Sequence, residues 1–189
     1  MPRGTYTDPR SGTRETFQCA PGVGGWRYVG ERSDGLRTDI TVDSRWRQIR
    51  VQVSSGDVLL RGGLVGRELL WIRAGEEHSA AAAGFAGESP GFLVAVARSL
   101  ALEPGAHADV ALVRLSGTVL ASLTISQRWW LTDITTYDTE LAPLPVERYE
   151  VADLATGESV PVHIAGDVVL EGPGAELSDL ESPPNLSRS

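Results

Sequence analysis

Apolar and polar residues alternate along much of this chain, and the alternation is clearest from Leu36 to Val53. A period of two is typical of β-strands that bury one face. The phase changes at Asp43-Ser44, which indicates two strands that meet at a turn. The apolar positions are Leu36, Ile40 and Val42 before this turn and Ile49, Val51 and Val53 after it.

Similar strands are predicted on both sides of this pair. Short glycine-containing turns, such as Ser33-Asp34-Gly35 and Ser54-Ser55-Gly56, separate them at regular spacing, as in an antiparallel meander. For Gly75–Gly87, rich in Ala and Glu, we expect a loop or a short helix. The predicted strands span about Gly25–Arg32, Leu36–Asp43, Arg45–Val53, Asp57–Gly62, Arg67–Ala74, Asp109–Leu115, Ser122–Thr136, Glu147–Leu154 and Ser159–Ile164.

One segment has a helical pattern instead. Ser89 at an N-cap and Pro90 in the first turn are typical of a helix start. Leu93, Val96, Ala97 and Leu100 then recur with the spacing of one helix face. The β-branched residues in this segment leave a strand possible. A helix over residues 90–101 would pack on the sheet.

These elements predict a β-rich fold: a curved antiparallel sheet, or open half-barrel, with one main helix packed on it. We expect a single β-rich domain over residues 16–171. Residues 1–15 are rich in Arg, Thr and Gly, and we expect them to be flexible. For residues 172–189 we expect a disordered, acidic, Pro-rich tail, because they offer little apolar surface to offset the entropy of ordering.

Charge and cysteine content limit the partners and the compartment. The formal net charge is −8, which argues against general nucleic-acid binding. Cys19 is the single cysteine, so no internal disulfide can form. Met1–Gln18 lacks the apolar segment of a secretory signal. No apolar run reaches the roughly 18–20 residues of a membrane span. We therefore expect a cytoplasmic protein without a membrane span.

The sequence does not name a reaction. His78, His107 and His163 lie far apart, and none has metal-ligand spacing to a second His or Cys. The segment Gly22–Gly25 lacks the Lys-Ser/Thr step of a phosphate-binding loop and leads into a strand. We recognise no catalytic motif, and we predict no catalytic residue, cofactor or metal site.

Tryptophan is the more informative residue type, since the chain has 5 Trp and only 3 Phe. Trp46 shares a strand face with Gln48 and Arg50, opposite the apolar face. Such a tryptophan either fills the core or belongs to a ligand surface, because an indole combines a large apolar area with an N–H that seeks a partner. The sequence leaves both interpretations open.

Four segments also occur in a characteristic order. They are Val42–Val53 with its Asp43-Ser44-Arg45-Trp46-Arg47 step, Ser89-Pro90 leading to Arg98–Gly105, the strand Asp109–Leu115 followed by Gln127-Arg128-Trp129, and a hairpin with Asp153 and Gly157.

This order resembles that of the bacterial glycolipid-binding family, a group of largely uncharacterised proteins, over about residues 25–165. The resemblance implies a lipoprotein-carrier-like shape and ligand binding without established catalysis. Where the family pattern has Thr-Asn and a second Arg, this chain has Phe92-Leu93 and Ser99. The lipid part of the family name therefore fits this chain better than the sugar part.

We predict that the protein binds an amphipathic small molecule, lipid or glycolipid-like, in the concavity of the sheet without catalysis. Trp and Arg side chains suit such a ligand, because rings can pack on an apolar chain and guanidinium groups on a polar head. We expect Trp46, Gln127 and Trp129 to border one cavity. Arg50 or Arg98 would lie near its mouth.

Two alternatives stay open. The first is a hydrolase or isomerase that acts on such a ligand with a carboxylate such as Asp43 beside Arg47. The second is a protein-interaction module without a small ligand. An enclosed apolar cavity would favour binding, a carboxylate with a raised pKa in a cleft would favour the enzyme, and a flat exposed aromatic patch would favour the interaction module.

Overall fold

The structure is a computed structural model that describes residues 1–22, 24–140 and 142–186. These residues form fifteen strands and one helix. In chain order the elements are β1 (Arg3–Thr7), β2 (Arg14–Gly22), β3 (Gly25–Arg32), β4 (Arg37–Asp43), β5 (Gln48–Ser55), β6 (Val58–Val65), β7 (Glu68–Arg73), β8 (Glu76–Ala80), β9 (Phe85–Ala86), α1 (Gly91–Leu100), β10 (His107–Ser116), β11 (Ala121–Tyr137), β12 (Leu144–Asp153), β13 (Ser159–Ala165), β14 (Val168–Gly172) and β15 (Ala175–Leu180).

All fifteen strands belong to one sheet. Strands β1–β8 follow one another as an antiparallel meander, and β10–β15 form a second one. The two meanders join where β1 pairs with β15. The edge strands are β8 and β9, and no ladder joins them within the described residues, so the curved sheet stays open. The predicted β-rich fold, a curved sheet or open half-barrel with one helix, is confirmed.

Helix α1 lies against the inner face of this sheet, where it contacts β3, β4, β9 and β14. Its buried residues include Phe92, Val94 and Val96. The helix begins directly on an aromatic ring, because a Cβ at Gly91 would lie 2.5 Å from Cδ1 of Tyr28. Glycine at this position therefore lets the helix approach the sheet.

The predicted cap of this helix is wrong. Pro90 occupies the N-cap position, and no side chain caps the helix. Ser89 instead turns its hydroxyl away from the helix and donates a hydrogen bond to Oε1 of Glu15 in β2. The hydroxyl thus joins the helix start to the sheet.

The predictions for both chain ends are also wrong where the structure describes them. Strand β1 lies in the predicted flexible segment, and β15 lies in the predicted disordered tail. Each has the other as a neighbour in the middle of the sheet, and Tyr6 and Ala175 are buried. Backbone pairing and these few apolar contacts order segments whose composition is polar. Residues 187–189 of the predicted tail lie outside the described residues.

The predicted loop or helix at Gly75–Gly87 is replaced by β8 and β9. Strand β8 adds a further antiparallel neighbour to β7. Strand β9 is short and is held by Gln48, whose side-chain amide bonds both the N–H and the carbonyl of Phe85.

Among the described residues, no helix has the length and apolar character needed to cross a membrane.

Candidate functional site

A groove lies between α1 and the inner faces of β10–β13. Its volume is about 330 Å³, within the range of about 300–1,000 Å³ that is usual for small-molecule sites. We call it the apolar groove. Its apolar walls are Phe92, Leu93 and Val96 of the helix and Leu112, Leu115, Trp129, Val151, Val160 and Val162 of the sheet.

Strand pairing explains why these side chains meet. Trp129 pairs with Val151, and Tyr149 pairs with Val162. Cross-strand partners lie on the same face of a sheet, so alternate residues of neighbouring strands form one continuous apolar surface. Trp129 lines the groove but is only 1% exposed. A ligand in the groove would therefore contact only part of its ring.

One end of the apolar groove is polar. Arg114 and Asp153 line this end and approach each other to 3.8 Å. Gln127 lines the groove beside them, and its Oε1 accepts a hydrogen bond of 3.1 Å from Nε1 of Trp129. The groove as a whole therefore has an apolar body and one end with hydrogen-bonding and charged groups.

A second, smaller cavity of about 60 Å³ lies beside Arg98 in the last turn of the helix. We call it the tryptophan cavity. The rings of Trp26 and Trp46 line it with their centroids 5.4 Å apart and their planes inclined by 42°. Its polar walls are Arg98, Glu147 and Asp167.

The polar groups of the tryptophan cavity are extensively bonded. Arg98 forms an ion pair of 2.5 Å with the buried carboxylate of Glu147 and also donates to the carbonyl of Gly166. Asp167 is 4% exposed. Its Oδ2 accepts from Nε1 of Trp26 at 3.2 Å and from the thiol of Cys19 at 3.6 Å.

A continuous series of contacts connects the groove with the cavity. Trp129, which is hydrogen-bonded to Gln127, meets the ring of Tyr149 edge-on with centroids 5.7 Å apart. The hydroxyl of Tyr149 donates to Glu147 at 2.9 Å, and the same carboxylate binds Arg98. A ligand that displaced Trp129 would therefore disturb groups that reach the tryptophan cavity.

The five predicted site residues do not border one cavity. Gln127 and Trp129 line the apolar groove, and Trp46 and Arg98 line the tryptophan cavity. Arg50 belongs to neither: its side chain is 62% exposed and lies 3.7 Å from Asp39. The structure thus brings the predicted residues together in two pairs and leaves Arg50 outside both.

Trp46 contacts Trp26 from the turn before β5, not from a position within the strand as alternation predicts. It has φ 59°, a left-handed conformation that is unusual for a large side chain. The surrounding turn is held by Asp43, which accepts hydrogen bonds from the backbone N–H groups of Arg45 and Arg47. Strand β5 then contains a bulge: Arg50 pairs with Thr41 and Gln48 pairs with Val42, so Ile49 is an extra residue. The bulge changes which residues of β5 face inward.

This bulge corrects the predicted faces of β5. Alternation predicts Gln48 on the polar face, but it is buried. Alternation predicts Ile49 on the apolar face, but it is 47% exposed. Arg50 points to solvent with Ile49 rather than inward with Trp46. A single extra residue in one strand is enough to reverse the faces on one side of it.

Sequence reasoning missed a third feature, a polar cleft of about 120 Å³ beside the start of α1. We call it the Glu15 cleft. Glu15 is 4% exposed, and its Oε1 accepts hydrogen bonds from the hydroxyls of Tyr28 and Ser89. Burial raises the pKa of Glu15, and these two hydrogen bonds offset only part of the effect. The signal was present, because Glu15 shares its parity with the apolar residues Phe17 and Cys19.

The segment before α1 carries a second overlooked signal. Gly87-Glu88-Ser89-Pro90-Gly91 has the spacing G-x-S-x-G and connects strand β9 to a helix, as the nucleophile turn of some hydrolases does. The geometry differs from that turn. Ser89 is 1% exposed and its backbone is outside the left-handed region. Its hydroxyl faces Glu15 rather than a histidine.

Comparison with known proteins shows the fold. No protein-family model and no curated protein matches this sequence. The chain is similar in structure to a DUF1089 family protein from Pseudomonas aeruginosa, with a TM-score of 0.59 and 15% sequence identity over 85% of this chain and 89% of that one.

Within the described residues, no cluster of three or more His, Cys, Asp or Glu side chains is placed to hold a metal ion.

Proposed function

We propose that this protein binds an amphipathic molecule, lipid or glycolipid-like, in the apolar groove without catalysing a reaction. The observation that carries the proposal is the groove itself: it is roofed by α1, walled by apolar side chains and polar at one end. An acyl or alkyl chain would lie against Leu93, Trp129 and Val162. The polar part of the ligand would lie near Arg114 and Asp153.

The energetics of burial favour this kind of ligand. Each methylene group transferred from water into such a groove contributes at most about 0.8 kcal/mol. A chain of modest length would therefore bind even with few head-group contacts. The resemblance to the glycolipid-binding family implies the same class of ligand, and Gln127 and Trp129 of the resembling segments line the groove.

Two valines allow a matched test. Val160 lines the apolar groove and is 38% exposed, and Val29 on β3 is 42% exposed and does not line it. We expect Val160→Asp to weaken the binding of straight-chain fatty acids and 1-alkanols at least about tenfold, since a carboxylate would have to lose water against the chain. Val29→Asp introduces the same charge and should leave affinity unchanged.

The measurement is tryptophan fluorescence titrated with probes of increasing chain length below their micelle concentrations. Wild-type affinity should rise with each methylene group, and Trp129→Phe should remove most of the signal. Binding that is independent of chain length, or equal losses in both aspartate variants, would contradict the proposal and favour the interaction module.

A second candidate function, ester hydrolysis, has one specific observation in its favour. The hydroxyl of Ser89 donates a hydrogen bond to the carboxylate of Glu15. Burial raises the pKa of this carboxylate. Asp43, the carboxylate that the sequence suggests for this role, is less suitable. Partial burial would raise its pKa, but hydrogen bonds from Arg47 and the backbone outweigh this and hold the pKa low.

Hydrolysis of p-nitrophenyl acyl esters distinguishes the two functions. Under the binding proposal, wild-type protein and Ser89→Ala release p-nitrophenol at the same rate. Turnover by the wild type that is lost in both Ser89→Ala and Glu15→Gln would support the hydrolase instead.

A further inference from the structure

The tryptophan cavity has an excess of negative charge. Arg98 is matched by Glu147, with which it forms an ion pair. Asp167 also lines the cavity and is buried, but it makes no ion pair within the described residues. Its hydrogen-bond donors are neutral: an indole, a thiol and the backbone N–H of Asn185 at 2.7 Å. Buried charges in proteins are usually matched by a counter-charge.

The other walls of this cavity are aromatic. Trp26 and Trp46 form a corner of two indole rings, and Trp46 is only half-buried, so one side of the corner is open to solvent. The π-face of indole attracts cations more strongly than other aromatic side chains do, and more so where water is excluded. Pro21, Pro145 and Leu186 complete an apolar lining around the rings.

We propose that the tryptophan cavity binds a methylated ammonium group, with its methyl groups against Trp26 and Trp46 and its charge matched by Asp167. The cavity of about 60 Å³ has room for a few water molecules and therefore for a group of this size. A bare metal ion fits less well, because two of the walls are rings and no metal-binding cluster is present in the described residues. The site is separate from the apolar groove and does not depend on the function proposed for it.

Choline chloride is the probe, and the indole N–H resonances of ¹⁵N-labelled protein are the readout. The N–H of Trp26 donates to Asp167, so its resonance should shift saturably as choline is added. The resonances of Trp71 and Trp130, which do not line the cavity, should stay unchanged. Sodium chloride at the same ionic strength and 3,3-dimethylbutan-1-ol, the uncharged counterpart of choline, should produce no saturable shift.

Two variants test the named groups. Asp167→Asn and Trp46→Leu should each weaken choline binding at least about tenfold. Asp39→Asn and Trp130→Leu are the matched controls, since Asp39 and Trp130 lie outside the cavity. Trp46 is half-buried, so Trp46→Leu tests the site even if Asp167→Asn does not fold. The proposal is overturned if wild-type protein shows no saturable shift, if the uncharged counterpart binds equally well, or if a folded Asp167→Asn binds choline as the wild type does.

A methylated ammonium group occurs both in free solutes and in lipid head groups. Dihexanoyl phosphatidylcholine below its micelle concentration separates these sources. Affinity equal to that of choline assigns the site to a free ammonium compound, whereas affinity at least about tenfold higher assigns it to a head group. Either result supports the site, whereas a lack of saturable response to choline overturns it.

Discussion

Glu15 is a buried carboxylate whose hydrogen-bond donors are hydroxyl groups rather than cations. Tyr28 and Ser89 both donate to its Oε1, and the second of these lies directly before α1. Burial raises the pKa of Glu15 and also that of Tyr28. The residue therefore connects β2, β3 and the helix start through one group that titrates.

Glu15→Gln keeps an oxygen acceptor and removes the titration. The folded-state pKa of Glu15 lies above its ordinary value of 4.5. Its contribution to stability is therefore complete below the unfolded pKa and is lost as pH rises through the folded pKa. We expect the unfolding free energy of the wild type to fall, relative to Glu15→Gln, as pH rises above 4.5. Urea unfolding at a series of pH values measures this difference, and parallel curves for the two proteins would refute it.

Helix α1 is the element that turns a curved sheet into a molecule with enclosed space. One of its faces lines the apolar groove with Phe92, Leu93 and Val96, and Arg98 reaches the tryptophan cavity. The position of the helix therefore sets the shape of both. Its closest approach to the sheet is at Gly91 on Tyr28.

Gly91→Ala should move the helix. Its Cβ would lie 2.5 Å from Cδ1 of Tyr28, and relieving such a contact in a packed interior costs about 1–3 kcal/mol. Ser99→Ala at an exposed position of the same helix should change stability by less than about 0.5 kcal/mol. Chemical denaturation measures both, and the fatty-acid titration shows whether the groove changes with the helix. If Gly91→Ala is as stable as the wild type, the contact between its Cβ and Tyr28 is relieved without cost.

At the scale of the whole molecule, the junction of β1 and β15 unites two meanders. The junction pairs Gly4, Thr5, Tyr6 and Thr7 with residues of β15. The first and last strands of the chain are therefore neighbours in the middle of the open sheet. Each meander alone would expose the apolar inner face that the other elements cover. Stability should therefore depend strongly on this one ladder.

A chain that ends at Gly172 lacks β15 and tests this dependence. We expect it to lose the single cooperative unfolding transition, because β1 would become an edge and the inner faces would be exposed. Circular dichroism during heating measures the transition. Glu181→Ala removes only an exposed ion pair with Arg3 near the same junction, and it should leave the melting temperature nearly unchanged. A truncated chain that melts like the full-length protein would show that the halves are independent.

Local patterns in the sequence determined most of the individual elements. Alternation predicted β3 with the bounds that the structure shows, Gly25–Arg32, and the spacing from Leu93 to Leu100 predicted α1. It also placed Gln127 and Trp129 on one face of β11, where they line the groove together. These features depend on neighbours a few residues apart, so a single sequence contains the information.

Only the tertiary structure decided which faces and segments meet. The pairing of Thr5 with Asp179 joins residues from opposite ends of the chain, and their polar composition gave no sign of it. The bulge at Ile49 turned Gln48 to the buried face and left Arg50 on the solvent face, away from Trp46 and outside the predicted site. Trp46 and Trp129 line two different spaces, the tryptophan cavity and the apolar groove. Alternation specifies a strand and its faces, but the choice of partner and register is a competition among distant contacts that one strand does not contain.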